Sequence, residues 1–215
     1  MENRKFTDAD QDLLVDIMLH RRDVRGNNFL ADEVPDEVVS QILRAATLAP
    51  SVGYSQPWEF VMVRDPAIRR QVVADFEVEN QKAEARFSGD RRNLYTRLKL
   101  EGILEAPVNI AVFYKPSAGP VLGQTSMAEV GEYSVVCAIQ NMWLMARALN
   151  VGMGWVSILN PDTVKQLLNA PPENKLVGYL CLGYVRQFFD TPELERLAWD
   201  RRKPLETVVH VDRYE

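Results

Sequence analysis

Tyr133-Ser134-Val135-Val136-Cys137-Ala138-Ile139-Gln140-Asn141-Met142-Trp143-Leu144-Met145-Ala146-Arg147-Ala148-Leu149 decides the fold. Neither proline nor glycine interrupts it, and the spacing predicts one long helix from about Met127 to Leu149. Its apolar side chains, from Tyr133 and Val136 through Ile139, Met142 and Trp143 to Leu149, surround the axis instead of forming one stripe. A helix apolar on every side is central and buried.

Strands are predicted on either side of that helix. Pro107 to Tyr114 reads as a buried strand, followed by a Gly/Pro/Ser-rich loop from Lys115 to Gln124. Gly152 to Ile158 reads as a strand, Asn160-Pro161 to Leu168 as a short helix, and Leu176 to Val185 as a long apolar strand. Pro204 to Val211 has enough valine for a final strand or an arm. Nearer the start, Thr7 caps a helix running to about His20, with Asp10 three residues on and Leu13, Leu14, Ile17 and Met18 at helical spacing. A second helix follows Pro35-Asp36 and stops at Pro50, and Trp58 to Val63 is a strand closed by Arg64-Asp65-Pro66. Pro66 to about Phe87 is helical but heavily charged, and a break at Ser88-Gly89-Asp90 leads to an amphipathic piece from Leu94 to Leu104. Two such polar helices between strands are either a mobile cover over a pocket or a solvated surface hairpin.

Helices alternating with strands predict an α+β fold. Its form is a three-layer α/β/α sandwich, with a mixed sheet of four or five strands around the central helix. Residues 1–215 form a single domain with no repeat or linker. One central helix and so small a sheet suit a chain that completes its core against a second copy, an obligate homodimer.

Composition narrows the function. With 25 basic and 30 acidic residues the formal charge is -5, so no basic field for nucleic acid exists. Met1 to Asp10 are charged and polar, which predicts no signal peptide, and no apolar run is long enough to span a bilayer. Cys137 and Cys181 lie far apart in apolar segments and read as buried thiols, consistent with a cytoplasmic protein. His20 and His210 are the only imidazoles, too few for a multi-histidine metal site.

The chemistry-bearing residues form separate groups. Arg21-Arg22-Asp23-Val24-Arg25 sets three guanidinium groups around one carboxylate, and Arg201-Arg202-Lys203 adds cations near the other end. Guanidinium forks suit phosphate oxygens, whereas basic residues at a helix end also oppose its dipole without binding anything. Asp23 is the odd member, either a salt-bridge filler or a group with chemistry to do. The loop Ala49-Pro50-Ser51-Val52-Gly53-Tyr54-Ser55-Gln56-Pro57-Trp58 has the small and hydroxylated residues of a backbone that approaches a ligand. In Gly152-Met153-Gly154-Trp155-Val156-Ser157, Gly154 has room for a flat ring near the backbone and Ser157 offers a hydroxyl, or bonds a neighbouring main-chain group. The dinucleotide fingerprint and the P-loop are both absent.

Taken in order, Arg21-Arg22-Asp23-Val24-Arg25, Pro50-Ser51 with Gln56-Pro57-Trp58, Gly154-Trp155-Val156-Ser157 and Arg202-Lys203-Pro204-Leu205 resemble the FMN-dependent nitroreductase superfamily over nearly the whole chain. Within it, Asp23 and Ser157, together with Glu101-Gly102-Ile103-Leu104-Glu105-Ala106-Pro107, are similar to the flavin-destroying branch that makes 5,6-dimethylbenzimidazole, the lower ligand of cobalamin. Tyr54-Ser55 and Ser126 to Glu132 depart from that pattern. The resemblance implies that reduced FMN is the substrate and that dioxygen breaks it into the benzimidazole and a sugar phosphate. It implies Asp23 as base and Ser157 as a hydrogen-bonding guide. FMN contacts would fall on Arg21, Arg22, Arg25 and Arg202, with Trp155 beside the ring and Ser51 arriving from the other subunit. Residues 66–104 become a lid, and NAD(P)H acts only through a separate flavin reductase that supplies the substrate. Flanking arginines are expected to lower the Asp23 pKa. The alternatives are an NAD(P)H-dependent nitroreductase or flavin reductase that keeps FMN as cofactor, and a non-catalytic flavin-binding protein.

Overall fold

Alternating burial along the strands sorts the core into two clusters, one on each face of a single sheet. The structure, a computed structural model, describes residues 3–214. Strand β1 (Trp58–Met62), β2 (Val108–Tyr114), β3 (Gly152–Val156) and β4 (Lys175–Gly183) lie in the order β1-β2-β4-β3. Ile110 and Val112 of β2 join Leu180 and Leu182 of β4 and Met153 of β3 in one cluster, while Ala111, Phe113, Tyr179, Cys181 and Val156 turn into the other. That period of two makes the sheet a middle layer.

Helices α1 (Asp8–His20), α2 (Asp36–Ala46) and α5 (Val130–Ala148) belong to the first side. Val39, Ile42 and Ala46 of α2 meet Val135, Ile139 and Met142 of α5 there. On the second side, Val72 and Phe76 of α3 (Pro66–Glu84) and Val164 of α6 (Pro161–Leu167) cover Phe113 and Tyr179. Two shorter helices, α4 (Gly89–Tyr95) and α7 (Glu193–Arg196), stand outside these layers. The three-layer α+β sandwich predicted from sequence is the observed fold. Cys137 and Cys181 are free thiols as expected, and burial pushes the Cys181 thiol well up from its ordinary range.

The sheet corrects one expectation: it has four strands, and all three pairings between them are antiparallel, not mixed. Strands β2 and β3 do run in the same direction, as a helical crossover through α5 favours, but β4 lies between them and opposes both. A second correction concerns Leu94 to Leu104. The helix there is α4, which ends at Tyr95, and the chain continues without helix to β2. Its backbone groups are captured elsewhere: Arg69 Nη2 donates to Ile103 O at 2.8 Å, and Glu101 Oε2 accepts Ile103 N–H at 2.8 Å. Of the two forms open for the tail, the arm is observed: it forms only a short 3-10 turn at Leu205–Thr207 and leaves Val208, Val209 and Val211 exposed.

Two features of the first side point outward. Helix α1 buries no residue, and Leu13, Leu14, Val15, Met18 and Leu19 are all exposed. Helix α5 is apolar all round, yet Tyr133 and Val136 are exposed as well. Among the described residues no helix is long and apolar enough to cross a membrane.

Candidate active site

The stretch after α1 is extended, and the pleat divides it. From Arg21 to Gly26 burial alternates: Arg22, Val24 and Gly26 are buried, and Arg21, Asp23 and Arg25 are half-buried. The segment lies along the edge of β3 through an isolated parallel bridge between Asp23 and Met153, with Val24 N–H donating to Met153 O at 3.1 Å. Gly154 makes this approach possible, because a Cβ there would stand 2.1 Å from Val24 O. The bare position therefore admits the protein's own backbone, and the expectation that it admits a flat ring is corrected.

The inward face is structural. Arg22 is 8% exposed, and its guanidinium donates to Phe189 O at 2.7 Å, to Leu19 O and Arg21 O at 2.6 Å each, and to Asp190 O. Four of its five N–H groups are thus committed to carbonyls. Arg22 fastens the chain beyond β4 to the end of α1, and it also belongs to the lining of the cavity described below. Burial, helped by the neighbouring charges of Arg21 and Arg202, lowers its pKa. Trp143 of α5 holds the same segment from behind, its indole N–H shared between Arg22 O at 3.1 Å and Met153 O at 3.0 Å.

The outward face holds Arg21, Asp23 and Arg25. Asp23 Oδ1 accepts the Trp155 N–H at 3.1 Å, its Oδ2 pairs with Arg25, and Arg25 Nη1 donates to Trp155 O at 3.1 Å. Carboxylate and guanidinium together hold both backbone polar groups of one β3 residue, Trp155. Burial raises the Asp23 pKa, and the charge of Arg25 and the Trp155 N–H only partly offset it. The expected lowering by flanking arginines is reversed, because desolvation outweighs both. The side chain keeps 35% of its surface, so the acid remains reachable. Arg21 lies over the Trp143 ring, 4.9 Å from its centroid.

Arg21, Arg22, Asp23 and Arg25 line a cavity of about 150 Å³ with Leu98, Lys99, Leu100, Glu193, Leu194 and Arg202. Arg202, from the far end of the chain, therefore joins Arg21, Asp23 and Arg25. Lys99 had no signal in the sequence pattern. It sits between Glu101 and Glu105, 2.9 Å from Glu105 Oε1, and despite desolvation these carboxylates raise its pKa. Three predicted residues lie outside the cavity lining: Trp155, whose backbone Asp23 and Arg25 hold, Ser157 and Ser51. Ser157 follows β3 and is exposed, outside the cavity lining; Ser51, in the loop after α2, accepts Gln56 N–H at 3.1 Å. That loop is pinned to α5 by Ser134 Oγ, which accepts Val52 N–H at 3.1 Å.

The donor set fits FMN in part. Arg21 and Arg202 are cations suited to a phosphate monoester, and a half-buried carboxyl lies beside them. The volume is below the roughly 300–1,000 Å³ of sites that enclose such a ligand.

Fold and site define the class. Residues 18–184 match the Nitroreductase family, and the chain belongs to it. The chain is 48% identical over 186 residues to a 5,6-dimethylbenzimidazole synthase of Rhodospirillum rubrum, covering 86% of this chain and 87% of that protein. It is 39% identical over 203 residues to one of Rhodobacter capsulatus, covering 94% and 97%. Crystalline oxidized iodotyrosine deiodinase bound to FMN and 3-iodo-L-tyrosine superimposes with a TM-score of 0.73 at 22% identity, over 94% of this chain and 100% of that one.

Proposed function

We propose that the chain takes reduced FMN as its substrate and uses dioxygen to fragment it into 5,6-dimethylbenzimidazole and a sugar phosphate. The single observation that carries this is a desolvated Asp23, held by Trp155 and Arg25 at the wall of an arginine-lined cavity. Its near-full-length similarity to two synthases of that name supports it. Reduced FMN supplies the electrons that dioxygen accepts.

Each residue then has a task that follows from its surroundings. Arg21 and Arg202 bind the phosphate, since Arg202 makes no hydrogen bond among the described residues and Arg21 only stacks on Trp143. Arg25 orients Asp23. Asp23 takes a proton from the flavin or its ribityl C1′, and its raised pKa makes it a stronger base than an ordinary aspartate. Ser157, exposed after β3, hydrogen-bonds the flavin, and Ser51 reaches it from the second copy. Helix α4 and Thr96 to Leu100 exclude water, because the first half of α3 is fixed in the core by Val72 and Phe76.

The protein acts as a cytoplasmic homodimer supplied by a separate flavin reductase, with NAD(P)H acting only through that enzyme. Incubation with FMN, a flavin reductase, NADH and air should release the benzimidazole, identified by mass. Peroxide with intact FMN, or direct bleaching of bound FMN by NAD(P)H, would replace this reading with an ordinary flavin reductase.

A further inference from the structure

The chain visits the cavity twice on its way out, and between the visits it docks on the neighbouring helices. It leaves the wall at Pro192, Glu193 and Leu194 and turns through α7. Ala198 ends that helix in a left-handed conformation, φ 55°, and Trp199 N–H closes the turn on Leu194 O at 2.8 Å. The turn delivers Trp199 to the α3–α4 hairpin. Its ring stands 5.3 Å from Phe87, edge-on at 79°, and 6.1 Å from Tyr95. The Arg91 guanidinium lies 3.6 Å above it and also donates to Trp199 O. The seat is firm: Phe87 and Tyr95 stack at 5.1 Å, and the buried Tyr95 donates its hydroxyl to Asn80 Oδ1 at 2.6 Å.

Three residues later the chain is back at the cavity as Arg202. A span that short reaches about 11 Å at most. From Asp200 to Lys203 the backbone makes no hydrogen bond to the rest of the described residues; Arg201 N–H bonds only the side chain of Asp200, at 2.8 Å. Arg202 is therefore held in place by its tether to Trp199 and by nothing nearer.

We propose that Trp199 is a positioning residue that joins the Arg202 cation to the α3–α4 hairpin, so that gripping a phosphate and covering the cavity are one event. A flavin with its phosphate draws Arg202 inward, and the hairpin follows through the indole. A flavin lacking it occupies the cavity without that pull. The inference rests on the flavin reading above and assigns Trp199 a part in selecting the phosphorylated form.

The test compares FMN with riboflavin on the whole protein, by quenching of flavin fluorescence. Wild type should prefer FMN, and Arg202→Ala should weaken FMN by about tenfold while leaving riboflavin unchanged. Trp199→Ala, remote from the phosphate, should do the same, the double variant should be no weaker than either single one, and Trp199→Phe should recover most of the preference. FMN but not riboflavin should protect the α3–α4 hairpin from protease in wild type, and this protection should vanish in Trp199→Ala. Should Trp199→Ala fail to fold, Arg91→Ala removes the exposed cation over the ring and its hydrogen bond to Trp199 O, and should lower the FMN preference in the same sense. Additive losses, or a wild-type preference in folded Trp199→Ala or Arg91→Ala, would overturn the latch while leaving the flavin reading intact. A wild type that binds neither flavin would overturn both.

Discussion

Asp23 and Arg22 are adjacent and face opposite ways, and their environments assign them different work. Asp23→Asn keeps an acceptor for Trp155 N–H but cannot take a proton. It should lower benzimidazole formation by about 10²- to 10⁴-fold with FMN affinity retained, measured by product analysis and titration. The same variant reads the electrostatics. The folded-state pKa of Asp23 is raised, so this carboxyl's stabilising contribution is full below its unfolded value of about 3.9 and is lost as pH rises through the folded value. Wild type should therefore lose melting temperature relative to Asp23→Asn as pH rises through that window, and a constant difference would contradict the desolvation. Arg22→Met should cost about 3 kcal/mol in urea unfolding, because it releases four carbonyl contacts. Arg21→Met should change stability by under about 1 kcal/mol yet weaken FMN about tenfold.

At the scale of elements, the site depends on an extended segment lying against a strand edge. Gly154→Ala would set a Cβ 2.1 Å from Val24 O, and the backbone on both sides has little room to yield. It should destabilise the protein by about 3 kcal/mol and abolish flavin binding, whereas Gly89→Ala, where nothing lies within 4 Å, tests only the cost of a left-handed turn. A fold without the bridge between Asp23 and Met153 would tolerate Gly154→Ala. The glycine and the Arg-Arg-Asp-Val-Arg run were both visible in the sequence. Their contact was not, because 130 residues of chain separate them and only β4, pairing with β3, fixes where that edge lies.

For the whole molecule, the exposed apolar face of α1 is the strongest sign of a second copy. Five large apolar side chains of α1 lie in water, and covering each contributes about 1.5–3 kcal/mol. Together with exposed Tyr133 and Val136 of α5 they form a face no soluble monomer keeps without reason. Leu14→Glu should shift sedimentation toward a monomer, and on the proposed reading, in which Ser51 arrives from a second copy, it should cost FMN affinity in parallel. A dimer unchanged by Leu14→Glu would move the interface elsewhere.

The elements themselves were legible because their signals are local: Thr7 with Asp10 for a helix start, β-branched runs for strands, and an all-apolar 133–149 stretch for the helix at the centre. The residues Arg21, Asp23, Arg25 and Arg202 were legible too, through spacing that resembles a family. Sign and partnership were not. Whether Asp23 is lowered by its arginines or raised by burial depends on how much water the fold removes. Whether Arg22 binds a ligand depends on which carbonyls from residues 189–190 arrive beside it. Both are sums over atoms distant in the chain, and no local pattern of residues encodes them.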